Sequence, residues 1–253
     1  KTPKTPEDRK ALMPKLAQIV TTLNADIGVL FAADGERMTL VDEKGRVIDG
    51  NTLLAMMAVL HARTHENARI AVPVTAPRML EPLVSLHGGT VTRTKTDVRD
   101  LMGVCANRNG GRLADFAGDS NGGFIFSDLQ PSYDAMFALA KLMEMLAVTD
   151  MRLSTLADQL PSVHVARAEV RCPWEIKGRV MRVLTKEADS LPEGGDQHVE
   201  LIDGIKVYQK EDWALVLPDA SEPFFHVYAE AGSSDAAQGL LAKYVEKIES
   251  LRG

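Results

Sequence analysis

Between Gly50 and Asp150 the chain alternates short apolar runs with helical repeats, and this alternation restricts the fold more than any other feature. Leu53 to Ala62 (LLAMMAVLHA) is apolar on all sides and reads as a buried helix, with Asn51 or Thr52 as the expected cap. Ala68 to Val74 reads as a strand, and Arg78 to Leu86 as a helix closed by Gly88-Gly89. Thr90 to Arg93 is an expected strand and Val98 to Ala106 a helix. Leu113 to Ala117 and Gly123 to Phe126 follow as strands, and Asp134 to Leu146 as a strongly periodic helix. Strands separated by helices of this length need right-handed crossovers, which build a mainly parallel sheet. The Met-rich faces (Met56, Met57, Met136, Met143, Met145) read as core packing.

The flanks follow other patterns. Before Gly50, Leu12, Leu16, Ile19, Val20 and Leu23 repeat at helical spacing, with Pro14 expected to start or kink that helix. Asp26 to Phe31 and Met38 to Val41 read as strands, and Glu43-Lys44-Gly45 turns into Arg46-Val47-Ile48. From Val163 the pattern is a strand (Val163 to Arg171), a helix (Trp174 to Leu184) and a loop of Pro, Gly and acids (Ala188 to Gln197). Short strands at Val199 to Leu201, Ile205 to Tyr208, Ala214 to Leu217 and Phe225 to Ala229 precede a last helix, Ser234 to Leu251. This predicts a small antiparallel sheet flanked by two helices.

Charge and cysteine content narrow the function classes. A net charge of −6 and no basic stripe with interleaved aromatics argue against nucleic acid as a partner. Cys105 and Cys172 alone make no disulfide framework or zinc knuckle, and Cys105 reads as a small core residue. His61 and His65, at i, i+4 spacing without a third ligand, read as surface residues. No apolar run is long enough to cross a bilayer, so a soluble, cytoplasmic protein without a membrane partner is expected. The opening KTPKTPEDRK reads as a linker or a cut through a longer chain.

Three loops carry the chemistry. They are AADGER (Ala32 to Arg37), GDSNGG (Gly118 to Gly123) and LPDASEP (Leu217 to Pro223). In order, spacing and flanks they resemble the metal, sugar and phosphate loops of the α-D-phosphohexomutases, the phosphomannomutases and phosphoglucomutases. That resemblance implies an α/β chain of three pieces: the end of mutase domain 2 (1–49), a parallel α/β domain 3 (50–160) and an α+β domain 4 (161–253). The phosphoserine domain of the family would lie upstream. The set, with RTKTDVRDLM (Arg93 to Met102), is also similar to the mutase-like C-terminal region of long bacterial sugar-1-phosphate nucleotidyltransferases, the mannose-1-phosphate guanylyltransferases. This implies an upstream nucleotidyltransferase domain as partner, nucleotide-sugar biosynthesis as context, and a catalytically impaired module; the alternatives are part of an active phosphohexomutase whose phosphoserine domain lies upstream, or a ligand-free interaction domain.

The departures from the family pattern are systematic. Ala32 and Glu36 replace two aspartates of the metal loop, so Asp34 and Glu36 are expected to hold Mg²⁺ weakly, or to serve only as turn residues. No tightly bound cofactor is expected. Asp119, Ser120 and Asn121 are the candidate sugar contacts for a hexose phosphate, with a tight turn as the alternative. Arg93 and Lys95, with Arg99 nearby, and Ser221 are the candidate phosphate contacts, despite Leu217 and Asp219 where an Arg and a Ser would stand. The alternative is a solvated strand end and, for Ser221 and Glu222, backbone bonds that hold the loop. Arg37 is expected to pair with a neighbouring acid.

Overall fold

The computed structural model describes residues 5–106, 111–189 and 197–252. They form two compact units, Lys1–Pro161 and Ser162–Gly253. The loop expected over 188–197 lies largely outside the described residues.

The first unit opens with α1 (Pro6–Leu23), capped by a reciprocal pair in which Thr5 Oγ1 accepts from Asp8 N and Asp8 accepts from Thr5 N. The helix runs through Pro14 instead of ending there. Met13 and Val20 face inward on Val41. Next come β1 (Ile27–Phe31), β2 (Met38–Asp42) and β3 (Val47–Ile48), an antiparallel sheet in the order β1-β2-β3. The turn between β2 and β3 is held by Asp42, a fully buried carboxylate that accepts from Lys44 N, Arg46 N and Arg46 Nε.

The second part of this unit is the parallel sheet. Helix α2 (Gly50–Thr64) is buried from Leu53 to Ala62, as its apolar run predicts, but its N-cap is Asp49, not Asn51 or Thr52. Asp49 Oδ1 accepts from both Asn51 N and Thr52 N. Then follow β4 (Arg69–Pro73), α3 (Leu80–Ser85), β5 (Thr90–Thr94), α4 (Val98–Cys105), β6 (Phe116–Gly118), β7 (Phe124–Phe126), α5 (Ala135–Thr149) and α6 (Leu153–Gln159). The sheet order is β5-β4-β6-β7, parallel across β5, β4 and β6, with β7 antiparallel at its edge. Met56, Met57 and Met145 lie in the core, whereas Met136 and Met143 sit on the outer side of α5 and are exposed. Their spacing is helical on either face, so periodicity alone could not assign the side. Helix α6 is tied to the β2–β3 turn by Arg46, which reaches Asp158 at 2.5 Å and Ser154 O at 3.1 Å.

His61 corrects the surface expectation. It is 3% exposed, stacked on His65 at 4.1 Å and on Phe116 at 5.3 Å, and neither ring nitrogen has a hydrogen-bond partner. Its neighbours in sequence, Val59, Leu60 and Ala62, are buried too, so the whole turn is taken inside.

The second unit is β8 (His164–Arg171), α7 (Trp174–Asp189), β9 (Gln197–Glu200), β10 (Ile205–Gln209), β11 (Asp212–Pro218), β12 (Phe224–Ala231) and α8 (Ser234–Arg252). Its five strands are antiparallel in the order β8-β12-β11-β10-β9. One face alternates inward through Phe225, Val227, Ala229 and Ala231, and these share a core with Val180, Leu184, Leu241 and Ile248 of the helices. No helix among the described residues is long and apolar enough to cross a membrane.

Burial holds the His61 imidazole neutral and pushes its pKa down from 6.5 to about 4, with the neighbouring His65 adding to the effect. In the unfolded chain the same ring protonates near 6.5, so stability present above that pH is lost as pH falls toward 4. The expected loss between pH 7 and 4.5 is about 2–3 kcal/mol from this residue. Urea unfolding at the two pH values checks it. His61→Phe, which suits the surrounding rings, should shrink the pH-dependent change by that amount.

Candidate functional site

Two of the three loops are joined within the first unit. The 32–37 loop is a tight turn: Ala32 N donates to Arg37 O, Gly35 N to Ala32 O, and Glu36 N to Asp34 Oδ1. The 118–123 loop links β6 to β7 and folds around Asp119. The loops meet through a backbone bridge between Arg37 and Gly123, reinforced by Met38 N donating to Gly122 O at 3.1 Å. Gly122 has φ +82°, and a Cβ there would stand 2.1 Å from Met38 O, so no other residue fits without moving β2. Ala135 N, at the start of α5, donates to Gly35 O and fixes the other side of the first loop.

Asp119 is the centre of this junction. One carboxylate oxygen accepts from Asn121 N at 2.8 Å and Gly123 N at 3.1 Å. The other accepts from Tyr133 Oη at 2.8 Å and faces Arg37 Nη2 at 3.4 Å. Arg37 also lies 4.9 Å over the Tyr133 ring and 3.6 Å from Glu36. Burial, and then the adjacent Asp119 carboxylate, push the Tyr133 phenol far above its ordinary range, so it stays protonated and donates to Asp119. Tyr133 carried no signal in the sequence; its role depends on the turn that brings it back over β7.

The candidate sugar contacts therefore divide. Asp119 organises the loop, Asn121 is exposed at its tip, and Ser120 Oγ is buried with no hydrogen-bond partner. The donor set for Mg²⁺ is thin: Asp34 is exposed with one oxygen used by the turn, Glu36 is beside Arg37, and position 32 is a buried alanine. Mg²⁺ at these two carboxylates would rest mainly on water and phosphate oxygens, with little of its octahedron supplied by the protein. Among the described residues no group of three or more His, Cys, Asp or Glu converges on a point.

Arg93 is spent inside the domain. Its Nε and Nη2 donate to Glu81, and the remaining donors reach Pro73 O, Ala76 O and Pro77 O, which uses the whole guanidinium and leaves no donor for a phosphate. Arg99 pairs with Asp97, and Lys95 is exposed at the end of β5. The third loop, in the second unit, is self-contained. Asp219 Oδ1 accepts from Ser221 N at 2.7 Å and Glu222 N at 2.8 Å, and Oδ2 meets His226 Nε2 at 2.8 Å. The Ser221 amide, then His226, hold the Asp219 carboxyl down at about 2. Lys177 Nζ, half-enclosed by the Trp174 ring at 4.3 Å, donates to Asp219 O and Glu222 O. Ser221 thus serves the loop through its backbone.

Residues 49–164 match the family model "Phosphoglucomutase/phosphomannomutase, alpha/beta/alpha domain III". The chain is 30% identical over 243 residues to a probable phosphoglucosamine mutase of Methanopyrus kandleri, covering 96% of this chain and 52% of that protein. It is 28% identical over 250 residues to a phosphoglucomutase/phosphomannomutase of Thermococcus kodakarensis, covering 98% of this chain and 53% of that one. Among solved structures, a phosphoglucomutase/phosphomannomutase family protein of Burkholderia thailandensis superposes with a TM-score of 0.77 at 23% identity, over 96% of this chain and 50% of the other. The chain spans about half the length of the curated relatives it matches.

Asp119→Ala should cost about 3–5 kcal/mol, the size expected when one partner of a buried, hydrogen-bonded charge pair is removed. Tyr133→Phe, which removes one hydrogen bond, should cost about 1 kcal/mol. Urea unfolding of both variants tests the ranking.

Proposed function

We propose that the chain belongs to the α-D-phosphohexomutase superfamily, a reading supported by its likeness to those relatives over about half their length, and that it forms the C-terminal half of a phosphohexomutase. The half that carries the phosphoryl group on a serine would lie upstream. The substrate class in this reading is a hexose or amino-hexose phosphate, in keeping with the named relatives. The observation that carries the reading is the docked pair of loops, 32–37 and 118–123, around Asp119.

Phosphoryl transfer depends on positioning and on charge stabilisation more than on covalent chemistry by the protein. This chain would contribute positioning. Asn121 presents a donor and an acceptor to sugar hydroxyls from a loop made rigid by Asp119. Lys95 offers an exposed cation at the C-terminal end of a parallel strand, where ligands of open α/β sheets bind. Asp34 and Glu36 would supply at most two carboxylates to Mg²⁺, and no step here rests on the ion.

A second reading is a catalytically impaired module attached to a sugar-1-phosphate nucleotidyltransferase. The impairment in it is supported by one feature, that Asp34 and Asp219 each turn a carboxylate oxygen onto the backbone of their own loops, while the attachment rests on the sequence resemblance alone.

One experiment separates the two. The chain alone should give no conversion of glucosamine 1-phosphate or glucose 1-phosphate to the 6-phosphate in a coupled assay. Fused behind the N-terminal half of the Methanopyrus kandleri relative, it should turn over, and Asn121→Ala should lower kcat/KM by about tenfold, the loss of a hydrogen bond or two to substrate. A folded but silent fusion would reject the mutase reading and leave the impaired module.

A further inference from the structure

Helix α5 carries an apolar stripe on its outer side that neither reading above uses. Met136, Ala140, Met143 and Ala147 recur at intervals of four, three and four residues, and all four are exposed. Met136 is 67% exposed, Met143 50%, and Val148, beside Ala147, 70%. Exposed apolar side chains are ordinary when scattered singly, but a row of them at the coiled-coil interval suits a face that packs on another helix. The inner side of α5 is already committed to the core through Ala138, Leu142 and Met145. The outer stripe is therefore a second seam.

The order of the stripe says what fits it. Turned end for end about a point between Lys141 and Leu142, the helix sets Met136 opposite Ala147 and Ala140 opposite Met143. Every methionine then faces an alanine, the large-to-small pairing that lets two antiparallel helices interdigitate. A surface that complements itself after a half-turn is what an isologous two-fold contact requires. Beside Ala147 lies an open groove whose apolar lining includes Met143, Leu146 and Met151, so the seat for an incoming methionine is already present.

The charges beside the seam obey the same symmetry. Lys141 and Glu144 pair at 2.6 Å along one flank of the helix. After the half-turn, the second copy's Glu144 comes within two residues of the level of Lys141, about 3 Å of helix rise. Each lysine then stands between two carboxylates, and no like charges meet.

We propose that α5 is a homotypic docking surface, on which a second copy of this chain packs its own α5 antiparallel about a two-fold axis. The assignment goes beyond the mutase reading, because it concerns neither the substrate nor the upstream half.

Sedimentation equilibrium of the full chain tests this. One pair of short helices buries little area, so a dissociation constant on the order of 10 μM is expected. Met143→Glu, at an exposed position, should weaken dimerisation more than about tenfold and leave the circular dichroism spectrum unchanged. Lys141→Glu and Glu144→Lys should each weaken self-association, and an equimolar mixture of the two should restore it, since each variant supplies the charge that the other now repels. Simple unfolding of the variants would not give that rescue. A chain still monomeric at about 300 μM would overturn the proposal. So would a dimer that Met143→Glu leaves intact, or a mixture no tighter than its components. Protection of Met143 from peroxide by the N-terminal half in the fusion, and not by concentrating the chain alone, would give the face to that half and overturn it too.

Discussion

The first unit depends on one buried carboxylate. Asp119 gathers two backbone amides of its own loop, a phenol from the turn before α5, and a guanidinium from the end of the 32–37 loop. Each donor belongs to a different stretch of chain, so their convergence sets the angle between the small antiparallel sheet and the parallel one. A buried acid is costly unless every oxygen is paired, and here both are. Removing any donor leaves the acid underpaired, which is why so short a loop holds so much.

Much of this was legible in the sequence. The 50–150 alternation foretold a parallel sheet, and the β4, β5 and β6 strands pair that way. The succession of short strands from Val199 to Ala229, set between two helices, foretold the antiparallel sheet of the second unit. What could not be read was the partner of each polar side chain. Arg93 looked like a free cation beside a strand end, yet its guanidinium closes on Glu81 and three carbonyls brought together by the turn before α3. His61 sits at surface-like spacing with His65, but the helix carrying it is enclosed, and a polar ring there was hidden by an apolar neighbourhood. Met136 and Met143 went the other way, because helical spacing does not tell which face turns inward.

The loops also show how a carboxylate changes the character of a backbone. At 34–36 and 219–222 an aspartate oxygen occupies amides that would otherwise face solvent or a ligand. At the second of these, Lys177 adds a cation on the carbonyl side, so donors and acceptors of the turn are both answered from within. Such a turn gains rigidity and gives up its readiness to receive an outside anion. The two properties come from the same hydrogen bonds.

The close approach of Gly50 to Ser120 O, which a Cβ on Gly50 would meet at 1.7 Å, has a consequence for how this chain can change over generations. Because the contact is to backbone, side chains at 120 can be exchanged while position 50 stays locked as glycine. The boundary between the units, at 161–162, does not pass between these two positions. A crossover between 50 and 120 would join a helix start and a loop that were never fitted to each other. The inheritance of this unit is therefore in one block, set by a gap too narrow for a single methyl group.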